Sequence, residues 1–404
     1  MHRLIRLSFV CMISCCLHAQ DAAPRLLLTP RRLHRLKLDR QRRTERWNNF
    51  EERVQGVTNS PERGFELALY SVVAEDPGSC RTAVQWGLAH PSERRQTALI
   101  ADWCRTQVSA ADRTKLVAAP FVAHSAKPFE NARDLLFTQI VQGQASRDSV
   151  KDQWAQLLPI IQRDPRACLS ELYALFEFLD AADKNFRVDL RQDDARLFFE
   201  LPLVFMLSLP PGELDHPDWK QRAGGLMMVN LDPNLQSSSF VQGWALEDPK
   251  RVEDGPGVAY EFLWANPYLP GLGYYNMDLW VYDQPSGLLL ARKSWDSDSC
   301  WVSIFHGKTS SLQCPPNILD KSSTFGKLTL VPMTQSCIEL KSQPAETAIL
   351  SHLTPGSELE WQSNEEKLST RADASGLALV SSSVSGAVCR IDENHRNNKK
   401  DPAN

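Results

Sequence analysis

The sequence predicts an α+β multidomain protein, with a helical N-terminal part followed by a C-terminal antiparallel β-sandwich. Its 404 residues are enough for two domains with sizeable cores. From Pro24 to about Pro210, apolar residues recur at three- and four-residue steps, which is typical of amphipathic helices. From Tyr274 onward they recur at every second residue, which is typical of strands. We therefore expect a domain boundary near Gly273.

Residues 1–20, MHRLIRLSFVCMISCCLHAQ, have the layout of a secretory signal peptide. Arg3 and Arg6 precede an apolar run from Leu7 to Leu17, which is too short to span a bilayer. A buried N-terminal helix is the alternative. We expect a secreted or periplasmic chain, since no later segment is long and apolar enough to cross a membrane. The formal net charge of -4 gives no electrostatic case for nucleic acid as a partner.

Residues 21–273 are predicted to form the helical domain. Thr29 and Pro30 have the residue types of an N-cap and a first helical turn, and Asp164 and Pro165 repeat the pattern. Two stripes have clear helical spacing: Val150, Trp154, Leu157 and Ile161, and Leu169, Leu172, Phe176 and Leu179. Short helices with short polar links favour helical hairpins packed side by side.

Residues 216–273 are rich in Pro, Gly, Asn and aromatic residues, and are predicted to be an aromatic linker with two short helical pieces. Large rings are costly to leave in water, so we expect the part from Trp244 to Tyr268 to be packed. Such a segment either docks across the domain junction or lines a site.

Residues 274–392 are predicted to be the β-sandwich region, because short alternating runs are separated by Gly, Pro, Asp or Ser. The last part of this region is similar to an immunoglobulin-like module. Residues 393–404 are predicted to be a disordered tail. The stretch LLLARKSWDSDSCWVSIFHGK, residues 288–308, is predicted to be the hairpin that begins the domain. It would also form a cleft wall if the helical domain docks on that face.

Seven cysteines remain beyond the predicted signal peptide, with no C-x-x-C pair and no histidine at ligand spacing, so no metal site is expected. Export permits disulfides, and Cys300 with Cys314, or Cys337 with Cys389, are plausible pairs. An odd number leaves at least one thiol free or intermolecular. Buried free thiols are the alternative to disulfides.

Three stretches resemble the heparinase II/III-like and alginate-lyase-like polysaccharide lyases. PRLLLTPRRLHRLKLD resembles the opening of these lyases, and ALIADWCRTQVSAADRTKL resembles their Asp-Trp helix and the polar N-cap after it. GLLLARKSWDSDSCWVSIFHGK resembles the start of their β-domain. The resemblance implies an incomplete α/α toroid followed by an antiparallel β-sandwich, with a glycan cleft at the junction.

The same resemblance implies β-elimination from a uronic acid, with an acidic polysaccharide or other glycan as partner. The C5 proton is weakly acidic until the carboxylate charge is masked, so the reaction needs a base and a cation. The family's Asn-Asn-His motif and His-x-His pattern are missing, since His124 and Asn131 are not adjacent and His306 has no partner. Activity is therefore either retained, reduced or lost. A non-catalytic surface scaffold or carbohydrate-binding protein with the same body is the alternative.

Four of the five candidate catalytic residues lie at or near the predicted hairpin. Arg292 is the expected carboxylate stabiliser, because a guanidinium binds a carboxylate bidentately. Tyr275 is the expected proton carrier and His306 its assistant. Tyr274 and His124 are further candidates. The alternative for Arg292 is a surface position on a strand, and for His306 a position at a strand edge. Packing in the core or at the domain interface is the alternative for the two tyrosines, and an unspecified structural role is the alternative for His124.

The candidate substrate-binding residues are Trp264, Asn266, Tyr268 and Trp295. Aromatic faces can stack on sugar rings, and filling the core is the alternative for the tryptophans. Asp296 and Asp298 could bind calcium, but a solvated turn is expected, because no further acids follow at loop spacing. No phosphate loop or nucleophile elbow appears, and no cofactor is expected.

Overall fold

The computed structural model describes residues 25–57, 59–119, 126–247, 250–340, 347–362, 367–381 and 386–391. The predicted signal peptide, His124 and the predicted disordered tail lie outside these residues. Within them, helices come first and strands follow, which confirms the α+β class and the order of its two parts. None of the helices in the described ranges has both the length and the hydropathy that a bilayer span requires.

The helical part contains fourteen α-helices within the described ranges. In chain order they are α1 Pro30–Gln41, α2 Glu45–Gly56, α3 Arg63–Ala74, α4 Pro77–Ala89, α5 Arg94–Trp103, α6 Ala110–Leu116, α7 Pro128–Gln142, α8 Arg147–Arg163, α9 Leu172–Phe186, α10 Ala195–Ser208, α11 Pro211–Asp215, α12 Trp219–Leu231, α13 Gln236–Leu246 and α14 Gly257–Trp264. Two short 3-10 helices, Pro165–Glu171 and Leu190–Asp194, lead into α9 and α10.

Side-chain caps fix where several of these helices begin. Thr29, as predicted, accepts a hydrogen bond from the Arg32 N–H at the start of α1, and Thr44 caps α2 in the same way. Ser146 and Ser149 form a reciprocal capping box at the start of α8. These bonds satisfy N–H groups that have no partner inside their own helix.

The two predicted stripes lie in the helical core. The stripe of α8 is buried along its length. The second stripe starts in a 3-10 helix, and the α-helix begins only at Leu172. Every residue of α9 from Leu172 to Ala182 is buried, including Glu177 and Asp180. A helix that is buried on all sides lies inside the core, so α9 brings two carboxylates into the protein interior.

Segment 216–273 differs from the predicted linker, because it contains the helices α12, α13 and α14. Trp244 and Trp264 are fully buried, as predicted, but Tyr268 is 63% exposed, so the predicted packing does not extend to the end of this part. Gly224 and Gly225 look like loop residues in the sequence but lie inside α12. Cβ atoms added there would lie only 3.0 and 3.3 Å from neighbouring side chains, so the glycines allow α12 to pack closely.

Twelve strands follow in the described C-terminal ranges. They are β1 Trp280–Asp283, β2 Leu288–Arg292, β3 Trp301–Phe305, β4 Lys308–Leu312, β5 Ser323–Phe325, β6 Leu328–Pro332, β7 Cys337–Leu340, β8 Thr347–Ser351, β9 Glu358–Gln362, β10 Lys367–Arg371, β11 Ala378–Ser381 and β12 Gly386–Arg390. The first sheet has the order β1-β2-β3-β4, the second β11-β8-β6-β5 and the third β10-β9-β12-β7.

One strand pair departs from the predicted antiparallel arrangement. β6 and β8 are parallel neighbours in the second sheet, while the other pairs of described strands are antiparallel. The reason is the path of the chain, because β7 lies between them in sequence but belongs to the third sheet. A parallel pair needs such a crossover connection.

The first sheet lies between the helices and the second sheet. In β2, Leu288 and Leu290 belong to the core shared with the helices, whereas Leu289 and Ala291 belong to a core shared with the second sheet. Burial of both faces explains why β2 is apolar almost throughout. The second and third sheets share a further core of their own.

Three disulfides join described cysteines. The pairs are Cys80–Cys104, Cys300–Cys314 and Cys337–Cys389. The two pairs in the β region confirm the prediction, while the pair in the helical part, which ties α4 to the end of α5, is not predicted from the sequence. Cys168 is a free and buried thiol, and burial raises its pKa to about 12.

Peptide mapping under non-reducing conditions is expected to recover these three pairs. Cys168 is expected to resist an alkylating reagent until the chain is unfolded, because the reactive thiolate is scarce at a buried thiol with a raised pKa. Alkylation of Cys168 in the folded protein, or a disulfide that includes it, would contradict the structure.

Candidate functional site

Arg292, the predicted carboxylate stabiliser, is fully buried where β2 meets the helices. Its Nη2 donates a hydrogen bond to the Leu209 carbonyl 2.6 Å away, and its guanidinium lies 4.5 Å from the centroid of the Trp295 ring. Burial lowers its pKa to about 10. Its Nε and Nη1 have no hydrogen-bond partner within the described ranges. In this position Arg292 packs the junction, and its buried guanidinium gives no support to a role in binding a carboxylate.

Tyr274 and Trp295 lie at the same junction. Their rings are 5.8 Å apart in an edge-to-face arrangement, and the Lys250 Nζ lies 4.9 Å from the centroid of the Tyr274 ring. Both rings are largely buried, which agrees with the alternative that these residues have a packing role. Tyr275, in contrast, is 67% exposed, and its ring lies against Gly273.

His306 lies away from this junction because of its place in the hairpin. The strand register pairs Arg292 with Trp301, at the end of β3 opposite to His306. His306 comes five residues after Trp301, which at about 3.3 Å per residue places it roughly 16 Å away. His306 and Gly307 form the turn between β3 and β4, with φ values of 47° and 70°. Such left-handed values are what a two-residue hairpin turn requires, so His306 has a clear structural role.

Three of the four predicted substrate-binding residues lie close together in sequence but have different surroundings. Trp264 is fully buried, its indole donates to the Tyr173 hydroxyl at 2.9 Å, and the Arg32 guanidinium lies 4.1 Å from its ring centroid. Asn266 is half-buried, and its Oδ1 accepts a hydrogen bond from the Tyr268 N–H. Tyr268 is 63% exposed, so it is the one of the three that presents an open ring face.

A different set of charged and aromatic groups lines a cavity of about 420 Å³, which we call the helical cavity. Its wall includes the first turns of α5, α7, α9 and α12, and Glu62, which immediately precedes α3. The N-terminal end of a helix carries a partial positive charge. These five helix ends converge on one space, and their partial charges favour a negatively charged ligand. The same wall carries five acidic residues, which oppose this field: Glu62, Glu93, Glu130, Asp134 and Glu171.

A buried ion-pair network lies at the base of the helical cavity. Arg95 donates to both carboxylate oxygens of Glu177 at 2.8 Å and to Glu62 at 2.9 Å. Arg133 also donates to Glu177, at 3.2 Å. Burial opposes the charge of Arg95, but Glu177 and its neighbours raise the pKa of Arg95 well above the usual value. Burial raises the pKa of Glu62, and Arg95 partly offsets that increase.

Aromatic rings complete the wall of the helical cavity. The Tyr260 ring lies 4.7 Å from the Tyr173 ring and 5.0 Å from the Trp219 ring. Burial raises the pKa of both tyrosines well above the usual value, so both hydroxyls stay protonated at neutral pH. Trp219 is half-buried, and the exposed Lys220 follows it in α12. The site therefore combines a partly open ring with an exposed cation, while both tyrosine hydroxyls are bonded inside the buried network.

These groups suit a small ligand that has both polar and apolar faces. Aromatic faces stack on the apolar faces of rings. Ionised side chains make the strongest hydrogen bonds to polar groups, and do so most effectively where water is excluded. A volume of about 420 Å³ is that of a small-molecule site.

Sequence reasoning misses this network because its members come from segments far apart in the chain. The usable signal is a charge at a position that helical periodicity assigns to the buried face. Glu177 lies between Phe176 and Phe178 in an apolar run, and Arg95 is the second residue of α5, which continues into the apolar stretch Ala98–Ala101. Buried charges are normally kept only when they are paired, so two such positions of opposite charge suggest each other as partners.

Comparison of the sequence with models of protein families finds no match, and comparison with curated proteins finds no significant match. The resemblance to heparinase-like lyases therefore stays a prediction, and the function has to be inferred from the geometry of this chain.

Proposed function

We propose that the protein is an exported, glycan-directed protein that binds an acidic polysaccharide in the helical cavity. The observation that carries the proposal is the convergence of helix N-termini on a cavity lined by Trp219 and Tyr260. The helix ends and Lys220 favour the carboxylate of a uronic acid, and the rings favour the sugar face. The hairpin around Arg292 and Tyr275 is the competing location.

The proposed architecture is an incomplete α/α toroid followed by a β-sandwich. The toroid is supported by the packing of helices that follow one another along the chain. The sandwich is supported by the core that the second and third sheets share. Export to a secreted or periplasmic location is supported by the disulfide pairs, since disulfides persist in oxidising compartments.

The proposed reaction is β-elimination at a uronic acid. Glu62 takes the C5 proton, the electron pair forms the C4–C5 double bond, and the C4–O bond breaks. The Tyr260 hydroxyl, which lies beside Glu62, gives its proton to the leaving oxygen. Lys220 neutralises the substrate carboxylate, which makes the C5 proton more acidic. The raised pKa of Glu62 makes its carboxylate a stronger base than an ordinary one.

The test of turnover is incubation of purified protein with alginates, glycosaminoglycans and pectins, while the absorbance of the unsaturated product is followed. The proposed reaction predicts an increase in absorbance with at least one polymer, and loss of that increase in Glu62→Gln. No increase with any of them would contradict the elimination step.

A non-catalytic carbohydrate-binding protein or surface scaffold is the second candidate. It is favoured by the ion pairs that hold Glu62 and Glu177 on Arg95, because paired carboxylates are less free to accept a proton. Binding of a polymer without any unsaturated product would select this candidate and leave the proposed binding site unchanged.

Trp219→Ala is expected to weaken binding of a uronic-acid oligosaccharide about tenfold, which is about 1.4 kcal/mol, because the stacking face is lost. Titration calorimetry measures the effect. Phe199→Ala is the matched control, since Phe199 is an exposed aromatic residue that does not line the helical cavity. Equal affinity of the two variants for the oligosaccharide would show that Trp219 does not contribute to binding.

A further inference from the structure

A second cavity, of about 530 Å³, shares the helices α12 and α14 with the helical cavity. Lys220 lines the helical cavity and Arg222 lines the second one. The two residues are about 200° apart around the helix, since each residue turns it by about 100°. The two cavities therefore lie on different sides of α12.

The wall of the second cavity carries charges of both signs. Its charged residues are Arg46, Arg222, Arg251, Asp39, Glu45, Glu253 and Glu261. Arg222 is buried, forms an ion pair with Glu261 and donates to the Ala245 carbonyl at 2.8 Å. This mixture favours neither a simple anion nor a simple cation.

Buried donors and a buried acceptor of this wall lack hydrogen-bond partners among the described residues. They are Nε and Nη1 of Arg46, Nη1 of Arg222 and Oδ2 of Asp39. Arg46 Nη1 and Asp39 Oδ2 are 3.8 Å apart, which is too far for a hydrogen bond. A hydroxyl group can accept from the guanidinium and donate to the carboxylate, so it matches both atoms at once.

Tyr268 supplies an aromatic face to the same cavity. The loop that carries it is held at both sides. Gln242 Nε2 donates to the carbonyls of Asn266 and Leu269 at 2.9 and 3.2 Å, and the Leu272 N–H donates to the Ser239 carbonyl at 2.9 Å. A ring that is exposed but held by its backbone is a preorganised stacking surface.

We propose that the second cavity is a separate glycan-binding site, in which a hydroxyl-rich sugar unit stacks on Tyr268 and bonds to Arg46 and Asp39. The proposal takes its ligand class from the proposed function, but it concerns different residues. The Arg46 Nη2 donates to the Phe262 carbonyl, which leaves Nε and Nη1 as the donors for the ligand.

The test is hydrogen–deuterium exchange of the full-length protein with disaccharides from alginate, hyaluronan and polygalacturonate. Peptides that cover residues 42–50 and 265–272 report the second cavity, and peptides that cover residues 92–96 and 170–174 report the helical cavity. The variants are Tyr268→Ala and Trp219→Ala, with Phe199→Ala as control. Tyr268 and Phe199 are similarly exposed, at 63% and 62%.

We expect protection of residues 265–272 that persists in Trp219→Ala and Phe199→Ala, and an affinity for this protection that falls about tenfold in Tyr268→Ala. Protection confined to the helical-cavity peptides would overturn this inference and keep the proposed function. Protection confined to the second cavity would support the inference and move the proposed function away from Trp219. Absence of protection in both sets of peptides would overturn both.

Discussion

Replacing Arg95 with methionine is expected to lower the free energy of unfolding by about 3–5 kcal/mol, because a buried ion-pair network loses its central partner. Arg95 is bonded to Glu177, Glu62 and the Tyr173 hydroxyl, and the side chain of Glu177 is fully buried. Without Arg95, Glu62 and Glu177 remain as poorly compensated carboxylates. Chemical denaturation of the wild type and the variant at pH 7 measures the difference.

Two further variants show whether the loss of stability comes from the buried network or from substitution of a charged residue in general. Lys127→Met removes an exposed ion pair with Glu130, and its effect is expected to stay within about 1 kcal/mol. The double variant Arg95→Met/Glu177→Gln is expected to lose less than the sum of its two single variants, since it leaves fewer unpaired charges. A loss of less than about 1 kcal/mol in Arg95→Met would show that the network is not essential to the fold.

Arg292→Ala is expected to cost about 3 kcal/mol, because it removes a hydrogen bond from a charged group and leaves a cavity at the junction. The lost contacts are those to the Leu209 carbonyl and the Trp295 ring. Arg292→Met is expected to cost much less, since an apolar side chain of similar length fills the space and removes a poorly paired buried charge. Thermal and denaturant unfolding of both variants measure the two losses.

Equal losses in Arg292→Ala and Arg292→Met would indicate that the guanidinium itself, and not its volume, holds the junction. The comparison also bears on function. A guanidinium that binds the substrate carboxylate would be needed for glycan binding even where stability is retained, so Arg292→Met would then fold but fail to bind.

Local patterns predict much of the fold. The cap at Thr29 and the buried stripe of α8 follow from residue type and spacing. The disulfides Cys300–Cys314 and Cys337–Cys389 are plausible from the sequence, which also allows free thiols. The structure of segment 216–273 is harder to predict. Glycines usually indicate a loop, but in this segment Gly224 and Gly225 allow α12 to pack closely against its neighbours. The parallel pair β6–β8 depends on which sheet β7 joins, and strand pattern alone does not specify that choice.

The candidate site is less predictable than the fold for a physical reason. Sequence reasoning places functional groups where the chain is rich in polar and aromatic residues, as in the hairpin that carries Arg292 and His306. In the structure, Arg292 is buried at the junction between β2 and the helices, and His306 forms a tight turn. The helical cavity depends on the pairing of Arg95 with Glu177, 82 residues away. Local patterns mark each charge as one that needs a partner, but they do not show that a cavity forms beside the pair.

The central claim is that the glycan binds in the helical cavity and not at the hairpin. Calorimetric titration of one uronic-acid tetrasaccharide into Trp219→Ala and Arg292→Met, with both variants first shown to be folded, tests it most directly. We predict about tenfold weaker binding in Trp219→Ala and wild-type affinity in Arg292→Met. Wild-type affinity in Trp219→Ala together with lost binding in Arg292→Met would contradict the claim and place the site at the hairpin.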